Sequence, residues 1–483
     1  GGISNDLKAV KESLHSAEYN GIGYALAGRG DNGLTTRELV FNYHGRLDRL
    51  VGSDLFTPVE IPGGVERAPS GARPYLLEVD AAVVNGELHI DWKYGTAVHQ
   101  QQTIKHLAER FTSHLTALAE YCATAPPTAT PSDFLQVGGG NLLDRLPALM
   151  WENQVPGSSI ALFTLDGMSQ AHGIGVGDAS TGAPMRPVTP LQAGCLSKPV
   201  TAMGVLRLAQ EGTLNLDREV NDYLRDWRLD QPVTLRQLLS HTAGLNASGS
   251  VLYGRDETLP DLSDVLRGRP PARSYAIRVE EAPGSRRLYA NSNYSVVEQV
   301  LTDVTGEGFP ALMRRLVLDP LAMHRSDFGT EPPSGATERV ALGHQEDGSP
   351  LKGGWQVMPE LAACGLWTAA TDIAIFWADL MRSCQGDGKV LEPLAAQAML
   401  TAVPGTGYGL GSLSLRLDDR WLIGHGGDMA GYHALVLCEP TAGTGFVIMT
   451  NGAGGQHLLQ TVGSQITDSV ATALSENGRA VSR

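Results

Sequence analysis

The segment that decides the fold is residues 194–202, GCLSKPVTA, where a cysteine and a lysine stand three positions apart. Apolar residues then recur every three or four positions until Gly212, which is typical of a helix that ends at a glycine: Val200, Met203, Leu206 and Ala209. Cys195 and Lys198 would therefore share one helical face. Because the positive end of a helix favours a thiolate at Cys195 and disfavours a charge on Lys198, the pair is a candidate nucleophile with its own base.

Two further segments carry candidate chemistry. Residues 283–294, PGSRRLYANSNY, end a loop and lead into an apolar helix over 296–301. Residues 425–427, His-Gly-Gly, lie near the carboxyl end of the chain. With residues 195–198, they match in order and separation the three motifs Ser-x-x-Lys, Tyr-x-Asn and Lys/His-Gly/Thr-Gly. Those motifs define the class C branch of the serine β-lactamase, penicillin-binding protein and family VIII esterase superfamily, which this chain resembles.

The resemblance extends from about residue 141 to about residue 474, and the stretches 238–245 and 364–372 also fit it. It implies a fold with an antiparallel sheet flanked by helices and an all-helical region beside it. Strands are expected over 159–165, 432–438 and 445–450, and a closing helix from 457 to about 474. The helical region is expected to hold Cys195, residues 215–227 and Tyr289, with the active site at the seam.

The resemblance also implies catalytic roles. Cys195 would be the acylated nucleophile, Lys198 its base and Tyr289 the relay that carries the proton to and from the leaving group. We expect the phenol of Tyr289 to ionise more easily beside an ammonium group. Asn291 would hydrogen-bond an amide of the substrate, and His425 would line the opposite wall of the site.

The oxyanion hole follows from the same resemblance. Gly426 and Gly427 would let the backbone approach the acyl group closely. The amides of Cys195 and Asp428 are then the expected donors to the oxyanion. No cofactor is expected, and no cysteine pair has the spacing of a metal site.

The nucleophile departs from the family, in which serine is the rule. Either the natural enzyme uses a thiol at this position, or Cys195 replaces a serine. A thiol suits a thioester donor, because thioester exchange is nearly isoenergetic and leaves the acyl group activated for attack by an amine.

The first third of the chain points to a separate α+β unit. Residues 21–24 and 41–46, a strand pair turning at 85–86 and an apolar helical stripe lie there; the stripe is Ile104, Leu107, Phe111, Leu115 and Leu118. The unit resembles the C-terminal portion of an epimerization domain of nonribosomal peptide synthetases, that is, half of a condensation-type domain. The catalytic His-His-x-x-x-Asp motif of that family does not occur here, so no epimerase activity is expected. His99 and His106 are interpreted as surface or structural residues.

Together the two resemblances imply a multi-domain α/β protein: an epimerization-like part over 1–122, a Pro- and Gly-rich linker over 123–140, and a β-lactamase-like thioesterase or cyclase over 141–476. An epimerization domain leaves a D-residue on a carrier, and the penicillin-binding fold acylates its nucleophile with a D-residue. The expected function is release of a peptide from a carrier-protein phosphopantetheine thioester, to an internal amine as a macrolactam or to water.

Three alternatives use the same residues differently. The chain could be a free-standing esterase or D-amino peptidase, a cell-wall β-lactamase or transpeptidase, or a catalytically inactive binding module. The attached epimerization-like part counts against the first, and the thiol counts against the second. The intact set Lys198, Tyr289, Asn291 and His425 counts against the third.

The composition of the chain limits which classes of partner and which cell compartment are expected. The net charge of -15 over 483 residues argues against nucleic acid or an anionic membrane as a binding partner, because each of these is itself negatively charged. Five scattered cysteines suit reduced thiols rather than a disulfide framework. No apolar run resembles a signal peptide or a membrane span, so a cytoplasmic location is expected. The expected partners are a peptidyl carrier protein, upstream synthetase modules and a peptide that ends in a D-residue.

Overall fold

A computed structural model gives the structure of the chain, which divides into two units, Gly1–Thr128 and Ala129–Arg483. The structure describes residues 7, 9–10, 39–46, 75–84, 87–124, 134–137, 140–247, 251–333, 340–417 and 420–466. The predicted motif at 21–24 and the turn at 85–86 lie outside these residues. The predicted domain boundaries at 122 and 140 stay a prediction.

The described strands of the first unit form a three-stranded sheet, and a helix follows them in sequence. Its elements are β1 (Leu39–Arg46), β2 (Leu77–Val84), β3 (Glu87–Tyr94) and α1 (Gln101–Thr124). Strand β2 is central, parallel to β1 and antiparallel to β3. Leu77 and Val79 alternate inward and meet Ile104 of the helix in a small core. His99 is half-buried and His106 is exposed.

The second unit contains short and long strands. They are β4 (Gln136–Val137), β5 (Gly140–Asn141), β6 (Gly157–Thr164), β7 (Gly167–Asp178), β8 (Ala183–Pro184), β9 (Leu191–Gln192), β10 (Tyr253–Gly254), β11 (Asp327–Phe328), β12 (Gln356–Val357), β13 (Leu366–Thr368), β14 (Leu413–Leu417), β15 (Arg420–Met429), β16 (Tyr432–Glu439) and β17 (Thr444–Thr450). Seven of them form one sheet in the order β14-β15-β16-β17-β6-β7-β8, and neighbouring strands are antiparallel. The predicted antiparallel sheet is confirmed.

Helices of the second unit lie between these strands in sequence. They are α2 (Leu142–Glu152), α3 (Ser197–Gln210), α4 (Leu235–Leu239), α5 (Leu262–Arg267), α6 (Asn291–Thr305), α7 (Phe309–Met313), α8 (Leu361–Cys364), α9 (Ala370–Ser383), α10 (Pro393–Leu400) and α11 (Gly455–Ile466). Short 3-10 turns occur at Gly194–Leu196 and Val220–Asp222, and a π-helical turn at Arg314–Leu318.

The sheet separates two apolar layers, because alternate side chains of each strand point to opposite faces. In β6, Ile160 and Leu162 pack with helices α2 and α11. Ala161 and Phe163 face the larger layer, which holds α3, α6 and α9. Both faces of the central strands are thus covered, and every residue of β16 and β17 is buried.

The helix predicted from the apolar pattern after Cys195 is α3, and the apolar run 296–301 lies within α6. The closing helix is α11, described as far as Ile466; the predicted continuation to 474 lies outside the described residues. Residues 215–227, placed in the helical region by sequence, contain only the 3-10 turn Val220–Asp222. Their backbone instead pairs at one isolated bridge, Glu219 with Thr234.

Strand β15 and the 3-10 turn Gly194–Leu196 are in backbone contact. A Cβ added to Gly427 would lie 2.1 Å from the Ala193 carbonyl oxygen. A Cβ added to Gly194, whose φ is +52°, would lie 2.5 Å from the Asp428 carbonyl oxygen. Only glycine allows this approach, so the two glycines fix the turn against the edge of the sheet.

We expect Gly427→Ala to destabilise the second unit by about 2 kcal/mol, because the methyl group would push the strand away from the turn. The matched control is Gly177→Ala in β7, where the nearest atom would lie 3.6 Å away, an ordinary contact. Chemical denaturation followed by circular dichroism measures both variants. Equal stability of the two would contradict the close contact.

Candidate active site

Cys195 lies in the 3-10 turn that leads into α3 and is completely buried. The hydroxyl of Ser197 donates to the Gly194 carbonyl at 2.7 Å and accepts from the Leu366 amide at 2.9 Å. The Ala193 amide donates to the Leu366 carbonyl at 2.8 Å. The two bonds to Leu366 tie the turn to β13, and the bond within the turn helps to fix the position of the thiol.

Lys198 is also completely buried, and its ammonium is held by oxygen atoms and aromatic rings. Its Nζ donates to Asn291 Oδ1 at 2.7 Å and to the Ala363 carbonyl at 3.2 Å. It lies 5.1 Å from the centre of the Tyr289 ring and 5.7 Å from that of Tyr294. Asn291, which sequence assigned to a substrate amide, therefore uses its side-chain oxygen to bind the lysine.

Tyr289 stands just before α6, and its ring stacks on the His241 imidazole with a centroid distance of 4.2 Å. Its hydroxyl is buried, and its interaction with the Cys195 sulfur favours the thiolate at that residue. Burial, and then the negative charge of Cys195, raise the pKa of Tyr289 well above its ordinary value. The expectation of a more easily ionised phenol is therefore wrong, because desolvation outweighs the ammonium; the resting phenol is neutral and can donate a proton.

The thiol of Cys195 is acidic. A hydrogen bond from Cys364, 3.9 Å away between sulfur atoms, lowers its pKa to about 6, with further lowering by the Lys198 charge and Tyr289 against the opposing effect of burial. The direction agrees with the sequence prediction. The main cause is a residue to which sequence analysis gave no role.

His425 lies in β15 and is neutral, because burial and the nearby lysine lower its pKa to about 3. Its Nδ1 contacts the Gly426 carbonyl, which only accepts, so this nitrogen carries the proton. Nε2 then accepts from the Tyr408 hydroxyl at 2.6 Å. The ring centre lies 6.2 Å from that of Tyr289, so the imidazole is part of an aromatic wall.

One of the two predicted oxyanion donors, the Asp428 amide, lies beside the 3-10 turn that holds Cys195. A Cβ on Gly194 would stand 2.7 Å from the Asp428 backbone nitrogen, so strand β15 brings that amide to the residue before Cys195. The Asp428 carboxylate accepts a hydrogen bond from His433 Nδ1 at 2.7 Å. This bond directs the side chain along the sheet and leaves the backbone to face the turn.

Sequence reasoning missed Cys364, His241 and Tyr408. His241 has a φ of +58° and accepts from Asn293 Nδ2 at 3.0 Å through Nδ1. Both Cys364 and His241 fall in stretches that fitted the family, at 364–372 and 238–245. The cysteine at the start of the stretch 364–372 was the one available sign of Cys364. Nothing in the sequence around Tyr408 indicated that residue.

Two carboxyl groups are buried beside α8, which also contacts Lys198. Glu298 Oε2 accepts from the Ala362 amide at 2.8 Å, and burial raises its pKa to about 8. Burial raises the pKa of Glu360 to about 8 as well, and the Lys198 charge opposes this only in part. Near neutral pH both side chains are predominantly protonated.

In the described part of the chain, no three His, Cys, Asp or Glu side chains are grouped as a metal ion requires. None of the described helices is both long and apolar enough to cross a membrane.

Comparison with known proteins places this site in a family. The model of the family described as Beta-lactamase matches residues 142–466, which include all three motifs. The chain belongs to the Beta-lactamase family. Penicillin-binding protein 4 of Amycolatopsis lactamdurans is 27% identical over 334 residues, 64% of this chain and 84% of that protein. This family typically comprises acyl-transferring hydrolases.

Two other similarities were found. A linear gramicidin synthase protein of Brevibacillus parabrevis is 34% identical over 139 residues, which are 26% of this chain and 2% of that protein. The chain therefore spans a very small part of the synthase. The structure of SurE with D-Leu superposes with a TM-score of 0.54 and 23% identity, over 68% of this chain and 74% of that one. This likeness confirms the fold of the second unit.

The buried carboxyls predict how stability depends on pH. Glu298 and Glu360 bind protons more tightly in the folded than in the unfolded chain, so their contribution is complete below about pH 4.5 and is lost as pH rises through about 8. The double variant Glu298→Gln/Glu360→Gln should therefore lose less stability between pH 5 and pH 8 than the unsubstituted protein, by at most about 1.4 kcal/mol per pH unit per proton.

Thermal unfolding across this pH range measures the effect, and the exposed Glu346 provides the control. Glu346→Gln should leave the slope unchanged. A double variant with the same slope as the unsubstituted protein would show that the two carboxyls are ionised in the folded state.

Proposed function

We propose that the second unit releases a carrier-bound peptide by forming a thioester with Cys195 and passing the acyl group to an internal amine or to water. The observation that carries this proposal is the buried cluster of Cys195, Lys198 and Tyr289, in which the pKa of the thiol falls to about 6. A thiolate is a strong nucleophile and exchanges readily with thioesters. No cofactor takes part other than the phosphopantetheine arm of the carrier.

In the first step, the Cys195 thiolate attacks the carbonyl carbon of the peptidyl thioester. The oxyanion accepts hydrogen bonds from the amides of Cys195 and Asp428. The C–S bond to the carrier arm then breaks, and the departing thiolate takes a proton from the Tyr289 phenol. Lys198, whose ammonium lies over the Tyr289 ring, stabilises the phenolate and restores its proton.

In the second step, an amine of the same peptide attacks the Cys195 thioester, and a macrolactam forms as the Cys195 thiolate leaves. The proton released from the amine passes through Tyr289 to Lys198 and restores the ammonium group that lost its proton in the first step. If water attacks instead, the product is the linear peptide acid. A D-configured residue is proposed at the acylating end, in line with SurE, a protein of this fold studied with D-Leu.

The proposed partners are a peptidyl carrier protein and the modules of a synthetase. Support comes from the 34% identity to a stretch of the linear gramicidin synthase protein. The first unit is proposed to be an epimerization-like part without epimerase activity of its own. Its resemblance to an epimerization domain supports a D-configured residue at the acylating end of the peptide.

The test is acyl transfer from an N-acetylcysteamine thioester of a peptide ending in a D-residue. Intact-protein mass should show one added acyl group on the chain and none on Cys195→Ala, and the product should be cyclic or linear peptide. The epimeric L-peptide should react more slowly. Absence of an acyl adduct and of product with both epimers would contradict the proposal and favour an inactive binding module.

Replacement of the buried ammonium tests the role of Lys198. We expect Lys198→Met to slow acylation at least about 100-fold, the usual lower effect of losing a general acid or base. The matched control is the variant Cys438→Ala, in which a completely buried cysteine of β16 is replaced; this variant should be acylated at the rate of the unsubstituted protein.

The free-standing esterase makes a different prediction for the unsubstituted protein. Rapid turnover of a simple ester, with no acyl transfer from the thioester, would favour that alternative.

A further inference from the structure

A second thiol lies against the nucleophile. The sulfur atoms of Cys195 and Cys364 are 3.9 Å apart, and both side chains are buried. Cys364 is the last residue of α8 (Leu361–Cys364). The preceding residue, Ala363, accepts a hydrogen bond from Lys198 through its carbonyl. Helix α8 therefore contacts both the Cys195 thiol and the Lys198 ammonium, although the two cysteines are separated by 169 positions in sequence.

The surroundings determine which sulfur keeps its proton. The charges and polar groups that bear on Cys195 are the Cys364 thiol, Lys198, Tyr289 and Asp428. Those that bear on Cys364 are Cys195, Lys198 and Glu360. The hydrogen bond to Cys195, and then burial, raise the pKa of Cys364 well above its ordinary value. Either sulfur could donate in this contact, and the Tyr289 phenol beside Cys195 favours the thiolate at Cys195 and the proton at Cys364.

We propose that Cys364 is a further catalytic residue, whose S–H group donates a hydrogen bond to the Cys195 sulfur and stabilises its thiolate as nucleophile and as leaving group. The acyl-transfer part of this proposal rests on the proposed function. The thiol–thiolate hydrogen bond itself does not.

Cys364 donates a hydrogen bond throughout and transfers no proton. During acylation, a lone pair of Cys195 forms the new C–S bond, the carrier C–S bond breaks, and the hydrogen bond from Cys364 weakens because the sulfur is no longer charged. During deacylation the C–S bond to Cys195 breaks and its electron pair returns to the sulfur. The Cys364 S–H group is then already in place to stabilise the charge.

The experiment follows ionisation of Cys195 by the ultraviolet absorbance of its thiolate across pH, with Cys195→Ser subtracted as the background. A non-thiol reductant keeps the two cysteines from forming a disulfide. Cys364→Ala should raise the midpoint of the Cys195 titration by about one to two pH units, the effect of one hydrogen bond to a charged group. Cys364→Ser retains a donor and should stay close to the unsubstituted midpoint.

Cys438→Ala is the matched control, since Cys438 is as deeply buried and lies on the sheet. Its midpoint should equal that of the unsubstituted protein. An unchanged midpoint in Cys364→Ala, or a rise in Cys364→Ser as large as that in Cys364→Ala, would overturn the proposal. If Cys364→Ala does not fold, Cys364→Val replaces it as the variant without a donor.

A second readout concerns the leaving group. The acyl-enzyme formed by Cys364→Ala should break down about tenfold more slowly than the unsubstituted acyl-enzyme, whereas Cys364→Ser should not differ; equal lifetimes would overturn the leaving-group part. The titration needs no acyl donor. A midpoint shift as expected, with no acyl-enzyme from any thioester, would therefore contradict only the proposed function and leave the hydrogen bond between the thiols intact.

Discussion

The buried ammonium group of Lys198 is the constraint on which the site depends. A charge that is removed from water is tolerated only when hydrogen-bond acceptors replace its hydration. Here the acceptors are Asn291 Oδ1, from the start of α6, and the Ala363 carbonyl, from α8. Three segments far apart in sequence must therefore meet at one nitrogen atom, and that requirement brings Cys195, Tyr289 and Cys364 together.

The sheet supplies the opposite side of the site. Strand β15 approaches the 3-10 turn so closely that no side chain fits at Gly194 or Gly427. The thiol is thus held between a backbone contact on one side and a buried hydrogen-bonded lysine on the other. Rigid support of this kind keeps a nucleophile and its donors in position before the substrate arrives.

The sequence predicted the helices, strands and site residues that leave a recognisable pattern or motif along the chain. Apolar periodicity located α3, an apolar run located α6, and the family resemblance located β6, β16 and β17. The order and spacing of the motifs predicted that Cys195, Lys198, Tyr289 and Asn291 belong to one site. Contacts between distant segments leave no periodic signal, so Cys364 and Tyr408 were not found. The sign of the pKa shift at Tyr289 was also wrong, since the depth of burial depends on the packing of the whole unit.

The burial of Glu360 also decides which group of the site carries the negative charge. An ionised Glu360 would compete with Cys195 for the single ammonium of Lys198. Burial raises the pKa of Glu360 to about 8, whereas the hydrogen bond from Cys364 and the lysine lower that of Cys195 to about 6. Between these values the carboxyl is neutral and the sulfur is charged, so Lys198 acts as the counter-ion of the thiolate. Above about pH 8 a second negative charge would form beside the same ammonium and weaken this pairing, because both charges would share one buried cation.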